Sequence, residues 1–156
     1  MLTESNFVVK IDSFNGHALD SIALNETGSY IREGANAGVA ATGTLSATNL
    51  NAVPLTSVSN IMPTVPFSET VFSNPPGLWA AKANLIFSPD TSSVLINIDS
   101  ILRAKIFKGA DGSETVFIGQ NFVGLTVTTI PLPLAVWLFG SGLLGMLSIS
   151  KRRKFI

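Results

Sequence analysis

The sequence predicts a mainly β protein: a single antiparallel β-sandwich or jelly-roll-like domain over Met1–Thr129, followed by one C-terminal transmembrane helix within Ile130–Ile156. Three observations lead there. Short β-type runs separated by turn residues fill the first part of the chain. Helical periodicity is essentially absent from those runs. After Glu114 no charged residue appears until Lys151, and there four cations follow one another.

The candidate strands, in order, are Phe7–Ile11, Ser21–Leu24, Ser29–Arg32, Val39–Ala47, Ala52–Ser57, Thr70–Ser73, Leu78–Phe87, Ser93–Ile98, Ile101–Lys108, Thr115–Ile118 and Phe122–Thr128. Their breaks carry residues with backbone reasons to turn: Asn15-Gly16, Thr27-Gly28, Asn74-Pro75-Pro76-Gly77, Pro89-Asp90 and Asp111-Gly112. Alternation is plain in Ser93–Ile98, where Val94, Ile96 and Ile98 form one apolar face and Leu95 departs from it. In Val39–Ala47 the residues are small and the period is poor. Ala110 to Glu114 reads as a hairpin loop leading to Thr115. Pro54, Pro63 and Pro66 place edge strands or loops near them. Many short strands at this spacing suit a sandwich or jelly roll.

Composition narrows the class. Charged residues make up 13% of the chain and hydrophobic ones 46%, against roughly 25% charged in an ordinary soluble domain. The formal net charge of +0 hides an uneven distribution. Four of the ten basic residues sit in Lys151–Lys154, which leaves six against ten acidic residues in the body, a net of −4. No basic stripe marks the body, so nothing there suits nucleic acid. Cysteine is absent, which removes disulfides, thiol nucleophiles and cysteine zinc sites.

The C-terminal segment is an uncharged, mostly apolar run, Leu134–Ser150. As a helix it spans roughly 25 Å, short but adequate for a hydrocarbon core of about 30 Å. Snorkelling of Lys151 and local thinning absorb the mismatch. Pro131 and Pro133 fit the start of such a helix and keep Ile130–Leu132 extended and exposed. Trp137 falls near the interface. Ser141 and Gly145 form a small-xxx-small pair and Gly142 smooths the same surface, which permits close helix packing. A buried core helix would show a polar face, and this run shows none. Lys151, Arg152, Arg153 and Lys154 hold the C-terminus in the cytoplasm by the positive-inside tendency, leaving the body on the outer side of the inner membrane.

The pattern Ile130-Pro131-Leu132-Pro133, then Trp137 to Gly145, then Lys151 to Lys154 resembles the PEP-CTERM class of sorting signals, nearest the variant that reads Val-Pro-Leu-Pro-Ala. Ile130 in place of Val and Leu134 in place of Ala are mild departures. The resemblance covers roughly the last sixth of the chain. It implies an exported protein of a Gram-negative bacterium that makes exopolysaccharide, with exosortase, a membrane protease-transpeptidase, recognising the proline motif. Carried over by position, Ile130, Pro131, Leu132 and Pro133 form the recognition motif. Leu134–Ser150, including Trp137, Gly142 and Gly145, forms the retention helix in inner-membrane lipid. Lys151, Arg152, Arg153 and Lys154 form the stop-transfer cluster. After processing, the body is expected at the cell surface or in the extracellular matrix, with exopolysaccharide as a neighbour.

Members of that class begin with a cleavable signal peptide. Met1 to Asn6 has no positive n-region, and Phe7-Val8-Val9 is interrupted by Lys10 and Asp12. The expectation is a true start further upstream. The alternative, a tail-anchored cytoplasmic protein, would put Lys151–Lys154 outside, against the positive-inside tendency.

The body offers little chemistry. His17 is the only histidine, it follows a turn, and no nucleophile elbow accompanies it. A surface turn histidine is the simpler reading. Asp90, Asp99, Asp111 and Glu114 carry the oxygen ligands that calcium takes, but a solvated hairpin tip explains Asp111 to Glu114 as well. Trp79 and Tyr30 suit a carbohydrate groove only if their rings are exposed, since a lone Trp on a β-run is usually core. No cofactor, metal or catalytic residue is expected. The leading expectation is a secreted, non-enzymatic surface or matrix protein; the alternative is a carbohydrate-binding or carbohydrate-active module on the same scaffold.

Overall fold

A computed structural model of the protein describes residues 1–14, 16–51, 56–68, 70, 76–107 and 112–131. The seven strands are β1 (Leu2–Asp12), β2 (His17–Glu33), β3 (Ala37–Asn49), β4 (Thr56–Pro63), β5 (Gly77–Ile86), β6 (Ser93–Ile106) and β7 (Thr115–Pro131). They form one sheet in the order β1-β6-β3-β4-β5-β2-β7, antiparallel at every pairing. The expected antiparallel, mainly β body is therefore present. In place of two separate sheets, a single sheet curls into a half-barrel. Its corner lies between β4 and β5, which pair only at Met62 with Lys82 and Pro63 with Ala81. Beyond that corner β6 and β3 pack across the interior against β7.

Several expected breaks are not breaks. The runs Ser21–Leu24 and Ser29–Arg32 are one strand, because Thr27-Gly28 is not a turn. A Cβ at Gly28 would lie 2.0 Å from the Gly119 carbonyl oxygen and 2.4 Å from the Trp79 indole nitrogen. The glycine is there so that an indole can cross the strand. Ser93–Ile98 and Ile101–Lys108 likewise merge into β6, and Thr115–Ile118 with Phe122–Thr128 into β7. Strands β6 and β7 do not pair with each other as the expected hairpin would require: β6 pairs with β1 and β3, while β7 pairs with β2, and residues 108–111 between them lie outside the described residues. The described part of Ala52–Ser57, Thr56 and Ser57, opens β4. Residues 52–55 and 71–73, and so most of that run and of Thr70–Ser73, lie outside the described residues.

Two bulges explain why alternation was hard to follow. Leu19 pairs with Thr129 and Ser21 with Thr128, which leaves Asp20 as the extra residue. The inward set shifts there from Leu19 to Ile22, Leu24, Glu26 and Tyr30. On β7, Thr27 pairs with Phe122 and Gly28 with Gln120, so Asn121 is extra. Inward positions change from Val116, Ile118 and Gln120 to Val123 and Leu125, and Phe122 is turned outward at 58% exposure.

The core lies on the concave side. Leu19, Ile22, Leu24, Leu45, Ile61 and Ile96 are fully buried there, each worth about 1.5–3 kcal/mol against exposure. Strand β6 contributes Val94, Ile96, Ile98, Leu102 and Ala104 from one face, with Leu95 outward as its sequence suggests. Strand β3 is small-residue rich because its neighbour is close: a Cβ at Gly43 would sit 2.1 Å from the Asp99 carbonyl oxygen. Tyr30, Phe67 and Trp79 close one end of the core. The Tyr30 and Phe67 rings meet edge-on at 4.9 Å, and Phe67 lies 6.5 Å from Trp79. Arg32 ties this end down, its Nε and a terminal nitrogen donating to the Ala37 and Phe67 carbonyls, each at 2.9 Å.

Candidate functional site: the open seam and the end of the last strand

Curling the sheet leaves a seam between its two edge strands. Among the described residues, strand β1 pairs only with β6, and β7 only with β2. Where they approach, Phe7, Val9, Ile98, Val123 and Leu125 line an apolar groove of about 430 Å³. Phe7 is 51% exposed, and Val8 and Val9 are exposed beside it. Exposed large apolar side chains in a row on an edge strand are unusual, because such edges template pairing with another chain. Strand β7 is the second edge. It spans 17 residues without a charged one.

The end of β7 carries the first half of the sequence motif. Ile130 pairs with Ala18 and Pro131 with His17, so the strand runs past the expected boundary at Thr129. Both residues are extended and exposed, as expected, but they belong to the sheet and are not a free connector. Pro131 is tolerated because β7 is an edge and its missing N–H costs no ladder bond on the open side. Leu132 and Pro133, the run Leu134–Ser150 with Trp137, Gly142 and Gly145, and the cluster Lys151, Arg152, Arg153 and Lys154 lie outside the described residues. Among the described residues no helix is long and apolar enough to cross a membrane.

His17 opens β2 directly after a turn in which its N–H donates to the Phe14 carbonyl at 3.2 Å and Gly16 has φ +71°. Its Nδ1 is buried without a partner among the described residues, so it is less of a surface residue than its turn position suggests. Of the four carboxylates weighed as calcium ligands, Asp111 lies outside the described residues. Glu114 is engaged, accepting from the Asn36 side chain at 3.0 Å and the Gly112 N–H at 3.2 Å. Among the described residues no three His, Asp or Glu side chains gather in metal-binding reach. Trp79 is 3% exposed and its indole N–H donates to the Gly119 carbonyl at 3.0 Å. Tyr30 is buried too, with the Ser68 N–H donating to its hydroxyl at 3.1 Å. Neither ring is free to stack on a sugar.

Sequence reasoning passed over one polar group. Glu26 on β2 is 1% exposed, deep in the concave core, with the Ser100 hydroxyl of β6 donating to its carboxylate. Gln120 of β7 lies beside it, its amide nitrogen buried without a hydrogen bond of good geometry. Desolvation pushes the Glu26 carboxyl above the usual range, and the Ser100 and Gln120 side chains pull it only partly back. The position follows from the shift at Asp20, which places residue 26 on the inward face.

No family model matches this chain, and no curated protein or solved structure does either.

Proposed function

We propose that this chain is an exported, non-enzymatic surface or matrix protein whose C-terminal segment is a sorting signal for an exosortase-type membrane protease. The observation that carries this reading is the ordering at the C-terminus: Ile130-Pro131-Leu132-Pro133, an uncharged run to Ser150, then Lys151-Arg152-Arg153-Lys154. In this reading the run is a single helix in inner-membrane lipid, with the cations cytoplasmic and the β domain periplasmic. Processing then frees the domain to the cell surface or to the surrounding exopolysaccharide. The β domain fits the role of a carried body. Strand β7 is held by β2 through Pro131, so the domain keeps its last strand if the chain is cut just beyond it.

A carbohydrate-binding or carbohydrate-active module is the second reading, and its main support was an exposed Trp79. With Trp79 and Tyr30 in the core, no observation favours it. Replacing both Pro131 and Pro133 by Ala tests the first reading in the native host. Retention of the variant in the membrane fraction while the parent chain appears in the extracellular fraction supports it. Identical distribution of the two chains sinks it.

A further inference from the structure

We infer that the outer edge of β1 is a homodimer interface, at which a second copy of this chain pairs antiparallel with β1 in a register centred on Phe7. Among the described residues, strand β1 has β6 on one side and no strand on the other. Its free edge runs Leu2 to Asp12 and exposes Leu2, Phe7, Val8 and Val9. A strand added there satisfies the open backbone groups, and the side chains select the partner. The charges on β1 choose that partner.

In the register that sets Phe7 against its own symmetry mate, Glu4 of each copy lies opposite Lys10 of the other. Ser5 meets Val9, Asn6 meets Val8 and Thr3 meets Ile11, so each pair lies on one face of the joined sheet. Shifting the centre to Val8 sets Glu4 against Asp12, a like-charge pair. Shifting it to Asn6 sets Glu4 against Val8 and Lys10 against Leu2, and neither charge is answered. Of the three charges on β1, the Phe7-centred register sets Glu4 and Lys10 against each other twice over and leaves Asp12 facing Leu2, with its own-chain partners Lys10 and Ser93 still in place. Within its own chain Lys10 meets Asp12 at 3.1 Å, and Asp12 also accepts from the Ser93 hydroxyl at 2.6 Å; the Lys10 side chain is 57% exposed, with room to turn to Glu4 of the second copy. Strand β7 has no charged residue, so it offers nothing comparable to fix a register. Pairing at β1 also places the two apolar grooves beside Phe7 next to each other on the concave side.

The test uses the full chain in mild detergent, and the absence of cysteine makes it clean. Directly opposed residues in an antiparallel pair have Cα atoms about 4.5–5.5 Å apart, within disulfide range. Phe7→Cys should therefore give a disulfide-linked dimer on mild oxidation. Thr3→Cys should not, because the two Thr3 positions lie roughly 27 Å apart at about 3.4 Å per residue. Adding Glu4→Lys or Lys10→Glu to Phe7→Cys should slow linkage by about tenfold, as each turns attractive pairs into repulsive ones. Mixing the two charge variants should restore it, since one copy then presents only cations and the other only carboxylates at these two positions, and opposite charges face each other across the axis. Light scattering on the chain with Phe7 intact, with and without Glu4→Lys, reads the same dimer without any cysteine. The inference is overturned if Phe7→Cys stays unlinked, if Thr3→Cys links equally well, if neither charge change slows linkage, if the mixture fails to recover, or if the Phe7 chain is monomeric by light scattering.

Discussion

The Ser100 hydroxyl on β6 donates to the Glu26 carboxylate on β2, joining two strands that are not neighbours in the sheet. This places an ionisable group where water does not reach it. Burial raises its pKa, so the folded state holds the proton to higher pH than the unfolded state does. The sign follows from linkage: the native state binds more protons, and stability falls as pH rises. The stabilisation is complete below the unfolded carboxylate value and is lost as pH climbs through the raised folded value. Urea titrations of the parent chain across that window should show this decline. Glu26→Gln, which keeps the shape without the charge, should flatten it. Glu26→Ala should cost about 1–3 kcal/mol below that window, because it strands the Ser100 hydroxyl in the core, and the cost should shrink as pH rises through the window, where the parent chain loses stability and the variant does not.

Gly28 is under the tightest steric demand in the β2–β7 ladder. Gly28→Ala drives a methyl into the Gly119 carbonyl and the Trp79 ring, and a backbone carbonyl has no cheap way out. The expected loss is about 3 kcal/mol, the upper end for overpacking, read as a shift in the urea midpoint. Gly124→Ala is the contrast. Its methyl would meet only the Phe122 ring, which is exposed and free to turn, so stability should change by less than about 0.5 kcal/mol.

Arg32 holds Phe67 and Thr70 against the end of β2. Its guanidinium donates to the Phe67 carbonyl, its N–H to the Thr70 hydroxyl at 2.7 Å, and its carbonyl accepts from the Thr70 N–H at 2.8 Å. Arg32→Ala should keep the backbone pair and lose the guanidinium bonds, at about 1–3 kcal/mol. Limited proteolysis should then cut near Phe67 at least several-fold faster than in the parent chain, with the remaining strands still protected.

The class of the fold was legible because Val94, Ile96 and Ile98 alternate on β6 despite Leu95 and turn residues punctuate the chain. Its connectivity was not. Gly28 looks like a turn residue in isolation, and only the indole of Trp79, far along the sequence, explains it. The bulge at Asn121 changes the phase of alternation within β7, so that strand reads as two, and the one at Asp20 detaches His17–Leu19 from the run that begins at Ser21. Residues 110–114 look like a hairpin tip, but pairing of β6 with β7 depends on the partners each has elsewhere. Of the site, the C-terminal ordering is visible in the sequence because charge and hydropathy are local properties. The buried Glu26 was hidden because its inward position depends on the bulge before it. The seam was hidden because it exists only once β1 and β7 become the two edges of one curled sheet.

Mass spectrometry of the mature protein from its native host decides whether the segment that follows Thr129 is a processed sorting signal. A processed signal leaves a C-terminal peptide that ends within Ile130–Leu134, recovered from the extracellular or cell-surface fraction. A membrane-bound chain whose peptides continue intact through Lys154 would contradict it and make the segment a permanent anchor.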